Sequence, residues 1–115
     1  MKYVMFICGD PEATDADSAA APPISDWFDY MNDRRAYIEG IRLQPPAEAT
    51  TVRVRHGEVI VSDGPFTESK EWIAGVAIIE CESLDDAIAQ ALKHNMAYEG
   101  RLEIRPIHSM GGPDL

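Results

Sequence analysis

Positive charge is scarce in this chain. Ten Lys and Arg stand against twenty Asp and Glu, a formal charge of −10 over 115 residues. So acidic a chain repels phosphate backbones and anionic membranes unless a basic cluster overrides the average. Its only basic clusters are the pairs Arg34/Arg35 and Arg53/Arg55, which read as solvated faces, so no nucleic-acid partner is expected. Long apolar runs are missing too, none approaching the roughly 18 residues of a membrane span. The N-terminal run YVMFIC stops after six residues at Gly9 and Asp10, short of the roughly 7–15 that a secretion signal needs. The expected location is therefore cytoplasmic, with no membrane partner. Cysteine is down to Cys8 and Cys81, both inside apolar runs, where Cys behaves as a small buried hydrophobe and a reducing compartment is implied. His56, His94 and His108 stand far apart, without the spacing of metal ligands. Phosphate-binding glycine loops and nucleophile elbows are also lacking. No metal and no cofactor are expected.

What is present is the balance of a folded domain, 45% apolar and 26% charged residues, at a length that suits one core. A single domain over residues 1–110 is expected, with a frayed tail at 111–115. KYVMFIC (2–8) and WIAGVAIIEC (72–81) are short and apolar on both faces, which predicts two central strands. Residues 9–23, acidic and proline-ended, read as a loop. From Ile24 to Gly40 the spacing of Ile24, Trp27, Phe28, Met31 and Ile38 predicts a helix, capped by Ser25 or Asp26 and ended at Gly40. GIRLQPP follows as a short strand broken by Pro45 and Pro46. TTVRVR and EVIVSD alternate around His56-Gly57 and predict a hairpin. Ser83 with Asp86 opens a further helix carrying Leu84, Ala87, Ile88, Ala91 and Leu92 on one stripe, with Lys93 and His94 in its last turn. RLEIRPI (101–107) is the final strand.

Strand, helix, strand, inserted hairpin, strand, helix, strand is the α+β, ferredoxin-like plan: an antiparallel βαββαβ sheet with two helices on one face. With both faces of the central strands apolar, the face left bare by the helices predicts a homodimer, an identical chain supplying the cover.

Over nearly the whole length the residues LQPPAEATTVRVR, VSDGPFTESKE, SLDDAIAQA and EIRPI resemble the YCII-related proteins, and Asp63-Gly64-Pro65-Phe66 is similar to the motif that names their DGPF subgroup. The resemblance implies a dimeric α+β barrel. It also implies that some relatives are dehalogenating or lyase-like enzymes using a His-Asp pair, and that DGPF members are often encoded beside extracytoplasmic-function sigma factors. Two departures matter. The expected first helix contains no His, so the dyad does not carry over. Gly75 is followed by Val76 and Ala77 where DGPF relatives commonly have an aromatic pair.

The stretch VSDGPFTESKEWIAG holds the candidate site. Its plain reading is a turn, with Asp63 accepting from backbone amides ahead of it, Gly64 permitting positive φ and Pro65 fixing φ. Its functional reading puts Asp63, Glu68, Lys70 and Glu71 at a cleft mouth as catalytic candidates, a partly buried carboxylate serving as base and Lys70 neutralising an anion. Phe66 and Trp72 are then the substrate-binding candidates. The reaction class would be proton abstraction or elimination on a small-molecule substrate, in a pocket at the dimer barrel. The alternative is a non-catalytic module docking a protein partner, such as the sigma factor that the resemblance suggests.

Overall fold

The computed structural model describes residues 1–64 and 72–108. Six strands are formed, β1 (Lys2–Gly9), β2 (Tyr37–Arg42), β3 (Thr50–Arg55), β4 (Glu58–Asp63), β5 (Trp72–Glu80) and β6 (Gly100–Pro106). The helices are α1 (Asp15–Ala20), α2 (Ile24–Asp33), α3 (Leu84–Ala91) and α4 (Met96–Glu99), with a 3₁₀ turn at Pro46–Glu48. Strands β2, β5, β1 and β6 form one antiparallel sheet in that order, while β3 and β4, among the described residues, pair only with each other. This is the expected ferredoxin-like plan with its inserted hairpin, the two apolar strands at the centre.

Register decides which side chains share a face. Tyr3, Met5 and Ile7 lie opposite Ile79, Ala77 and Gly75 on one side and Pro106, Ile104 and Leu102 on the other. This face is covered by helices, and its core joins Tyr3, Met5, Ala77 and Ile79 to Trp27 and Met31 of α2 and Ala87 of α3. The alternate residues, Val4, Phe6, Cys8, Val76 and Ile78, form the opposite face and are only half-buried.

Several elements depart from the sequence expectation. The 9–23 segment contains α1, opened by a reciprocal box in which Thr14 Oγ1 accepts from the Asp17 amide and Asp17 accepts from the Thr14 amide. Thr14-x-x-Asp17 has the same spacing as Ser83-x-x-Asp86, but no apolar stripe follows it to mark a helix. Helix α2 begins after Pro23, with no side-chain cap from Ser25 or Asp26, and ends at Asp33 rather than Gly40. Arg35 takes a left-handed φ of 52° and the Ala36 amide donates back to the Met31 carbonyl at 2.9 Å, closing the last turn. Ile38 therefore belongs to β2, not to the helical stripe. In α3, Ser83 caps as expected, its Oγ accepting from the Asp86 amide. The buried residues, however, are Ala87 and Gln90, while Leu84, Ile88 and Leu92 are 44–55% exposed. Gln90 satisfies its burial by donating to the Glu80 carbonyl at 2.9 Å and accepting from Cys81 Sγ. Lys93 and His94 fall beyond the helix end. Helix α4 was not foreseen.

Candidate functional site

The site begins with α2. Because Trp27 is placed one turn before Met31 on the buried face, its indole sits at the centre of an aromatic cluster. Its ring meets Phe28, Tyr37 and His94 edge-on at centroid separations of 5.1, 5.6 and 4.9 Å, and Phe28 meets Tyr37 at 5.6 Å. Such edge contacts are favourable beyond their area. Tyr37 is held there by β2: its hydroxyl lies so close to Gly40 that a Cβ at Gly40 would come within 2.5 Å of it.

This cluster forms one wall of a cleft of about 550 Å³ between α2 and the helix-covered face of the sheet, within the usual range for small-molecule sites of ~300–1,000 Å³. Ile7, Gly75 and Ala77 supply the floor, and His94, Asn95 and Met96, in the turn between α3 and α4, close one end. Gly40 and Arg42 form the β2 rim. Gly75 is needed at this place, since a Cβ there would approach the Ile41 carbonyl oxygen to 2.8 Å.

The polar groups of the cleft are few. His94 is 5% exposed, and burial pushes its pKa down to about 4, because the charged ring would lose its water. It is therefore neutral at physiological pH. Its Nδ1 accepts the Met96 amide at 3.0 Å, so the ring proton sits on Nε2 and that nitrogen is a donor. Trp27 buries an indole N–H with no acceptor among the described residues, a cost of about 1–3 kcal/mol. Arg42, paired in register with Gly75, points to the same side of the sheet as the cleft and forms no ion pair among the described residues. Asn95 spends its amide on Glu99, Nδ2 to Oε2 at 2.6 Å, leaving its carbonyl oxygen as an acceptor. None of the described lining residues is Asp or Glu.

Of the sequence-derived candidates, the two that are described, Asp63 and Trp72, lie away from the cleft. Phe66, Glu68, Lys70 and Glu71 are outside the described residues. Asp63 ends β4, opposite Thr50 in the hairpin, and is exposed. Gly64 has the positive φ expected of it, 98°, donates to the Ala49 carbonyl at 2.7 Å and accepts from Thr51 Oγ1 at 2.8 Å, while Pro65 lies outside the described residues. Trp72 starts β5 opposite Gly9, its ring packed against the Gly9 backbone. Asp63 and Trp72 thus belong to different sheets and neither lines the cleft.

What the sequence reading missed was His94, taken as the end of a helix, together with Tyr37 and Arg42. No local signal marked them: His94 lies beyond the end of α3, and it is buried against Trp27, far away in the chain.

Cys81 is buried, and its thiol is pushed up to about 11, first by burial and then by Asp86, so it is unreactive. Cys8 is only half-buried, contrary to the expectation for it, because it lies on the uncovered face; neither cysteine forms a disulfide. Among the described residues no group of His, Cys, Asp and Glu is arranged to hold a metal, and no helix is long and apolar enough to cross a membrane.

Comparison with known proteins places this architecture. A family model for the YCII-related domain matches residues 1–111. An uncharacterized protein of Rhizobium meliloti (strain 1021) is 40% identical over an alignment of 82 residues that covers 64% of this chain and 66%, just under two thirds, of the relative. With a match over nearly its whole length and a sheet of the corresponding plan, the chain belongs to the YCII-related domain family.

Proposed function

We propose that this protein binds a small molecule in the cleft between α2 and the sheet, as a member of the DGPF subgroup of its family. The observation that carries this reading is the aromatic wall of Trp27, Phe28 and Tyr37 beside neutral His94 and the Arg42 guanidinium in a cleft of about 550 Å³. Apolar walls with a few convergent polar atoms are the general form of such sites. Neutral His94, protonated on Nε2 and held by the Met96 amide, acts in it as a hydrogen-bond donor and polarising group rather than as a base. If the bound molecule also reacts by proton abstraction or elimination, the base comes from the Asp63–Glu71 stretch, with Lys70 as the neutralising cation. A fragment titration followed by heteronuclear NMR tests the reading. Shifts gathered at the Trp27 indole, Tyr37 and His94 support it; shifts scattered over the surface, or absent across a broad library, sink it.

We also propose that the protein works as a cytoplasmic homodimer, the second chain covering the face opposite the helices. Half-buried Val4, Phe6, Val76 and Ile78, flanked by exposed Ile41 and Ile73, make that face apolar, and an oily face of this kind favours a partner over water.

A further inference from the structure

Taking small-molecule binding in the cleft as its basis, the next question is what chemistry the occupant carries. We infer that it is a planar aromatic or otherwise apolar molecule bearing one anionic group, its ring against Trp27, Phe28 and Tyr37 and its charge at Arg42.

Donors and acceptors in the cleft are out of balance. Arg42 offers only donors, and His94 only its Nε2–H, since Nδ1 is engaged by the Met96 amide. Against these stand the Asn95 carbonyl oxygen and the Tyr37 hydroxyl, which can act either way. A ligand rich in acceptors and poor in donors complements such a lining, and a carboxylate or phenolate is the smallest group that does so.

Charge points the same way. In a chain of net charge −10, the described lining holds one cation and no anion. The overall negative field opposes an anionic ligand at long range, but at physiological salt it is screened beyond ~8 Å, so the Arg42 guanidinium, which has no ion pair among the described residues, decides the local preference. Arg42 sits at the exposed end of β2, at the rim, while the aromatic wall runs inward from it. A carboxylate therefore stays at the mouth, where it keeps part of its water, and the ring enters.

Isothermal titration calorimetry with matched pairs tests this: phenylacetate against phenylacetamide and 2-naphthoate against 2-naphthamide, on the wild type and on Arg42→Gln. The expected result is a preference of about tenfold for the carboxylate in the wild type, shrinking towards one in Arg42→Gln as the carboxylate affinities fall further than the amide affinities, and largely restored in Arg42→Lys. Carboxylate and amide binding equally overturns the anionic class, and a preference that survives Arg42→Gln overturns the seat of the charge at Arg42, each while leaving the cleft as a binding site. Binding of neither member of any pair, together with the negative fragment titration, removes both readings. Because Arg42 is exposed and makes no ion pair among the described residues, its replacement leaves folding intact, which the thermal midpoint of the variant checks.

Discussion

The four-stranded sheet and the β3–β4 hairpin are made of similar material and end in opposite conditions. Both are antiparallel, and both place apolar side chains at every second position. In the main sheet, Met5 and Ile79 are fully buried under α2 and α3. In the hairpin, Val52 faces Val61 and Val54 faces Val59 across the strands, giving a four-valine face whose members are 55–69% exposed. Alternation says only that a strand has an apolar side. Whether that side is dry depends on what the rest of the fold lays over it.

The largest effect that sharpens this contrast comes from truncating each sheet in turn. Met5→Ala is expected to cost about 2–5 kcal/mol, the usual penalty for emptying a fully packed site, whereas Val59→Ala should stay within about 0.5 kcal/mol of the parent, as exposed positions do. Urea unfolding followed by far-ultraviolet circular dichroism measures both. A Val59 penalty matching that of Met5 would mean the hairpin is covered within the protomer.

Next in size is the pH response of the covered face. The unfolded chain protonates His94 near its ordinary pKa of 6.5, while the folded chain resists until about 4. Between those values the unfolded state binds the extra proton, so stability is full above about pH 6.5, falls as pH drops to about 4 and then levels off. The limiting size is on the order of 3 kcal/mol. In His94→Gln this component should vanish, leaving only the shared carboxylate titrations; equal pH slopes for the two proteins between about pH 6.5 and 4.5 would show that His94 is not the buried neutral group described above.

The smallest effect on the protomer, and the most telling for assembly, belongs to the uncovered faces. Val54→Ser with Val59→Ser should change protomer stability by less than about 1 kcal/mol yet weaken the proposed pair at least tenfold if the valine face takes part in it, as read by sedimentation velocity. Alkylation of Cys8 provides an independent gauge, slowing as protein concentration rises while Cys81 stays inert throughout. A wild-type monomer at micromolar concentration, with Cys8 reactivity independent of concentration, would remove the dimer.

Much of the fold was readable because its signals are local. Two apolar strands, a hairpin with His56-Gly57 at its tip, both in positive φ, and a Ser83-capped helix all follow from side-chain alternation, turn chemistry and capping. The end of α2 was not readable in the same way. Ile38 continues the helical spacing from Met31 by coincidence, and only the left-handed turn at Arg35 and the pairing of Tyr37 with Ile79 show that the chain has already become a strand. Helix α3 teaches a related lesson: its leucines mark an apolar stripe, but Gln90 lies inward because the Glu80 carbonyl and the Cys81 thiol at the strand end satisfy it.

The candidate site divides along the same line. Sequence drew attention to the polar cluster after Asp63, because charged residues crowded at a strand end are conspicuous in one dimension. The described lining of the cleft comes from residues far apart in the chain, Trp27, Tyr37, Arg42 and His94, which share a place only once β2 pairs with β5 and α2 packs over them.

By itself, then, the sequence determined the acidic surface, the number and kind of strands, the strand-end turn at Asp63-Gly64 and the two-sided greasiness of β1 and β5, since each is written in neighbouring residues. Tertiary structure alone decided which of those faces stays dry, which histidine loses its charge and where the aromatic rings meet. Burial and desolvation are properties of what surrounds a group, and in this fold the surroundings of Trp27 and His94 come from segments dozens of residues away.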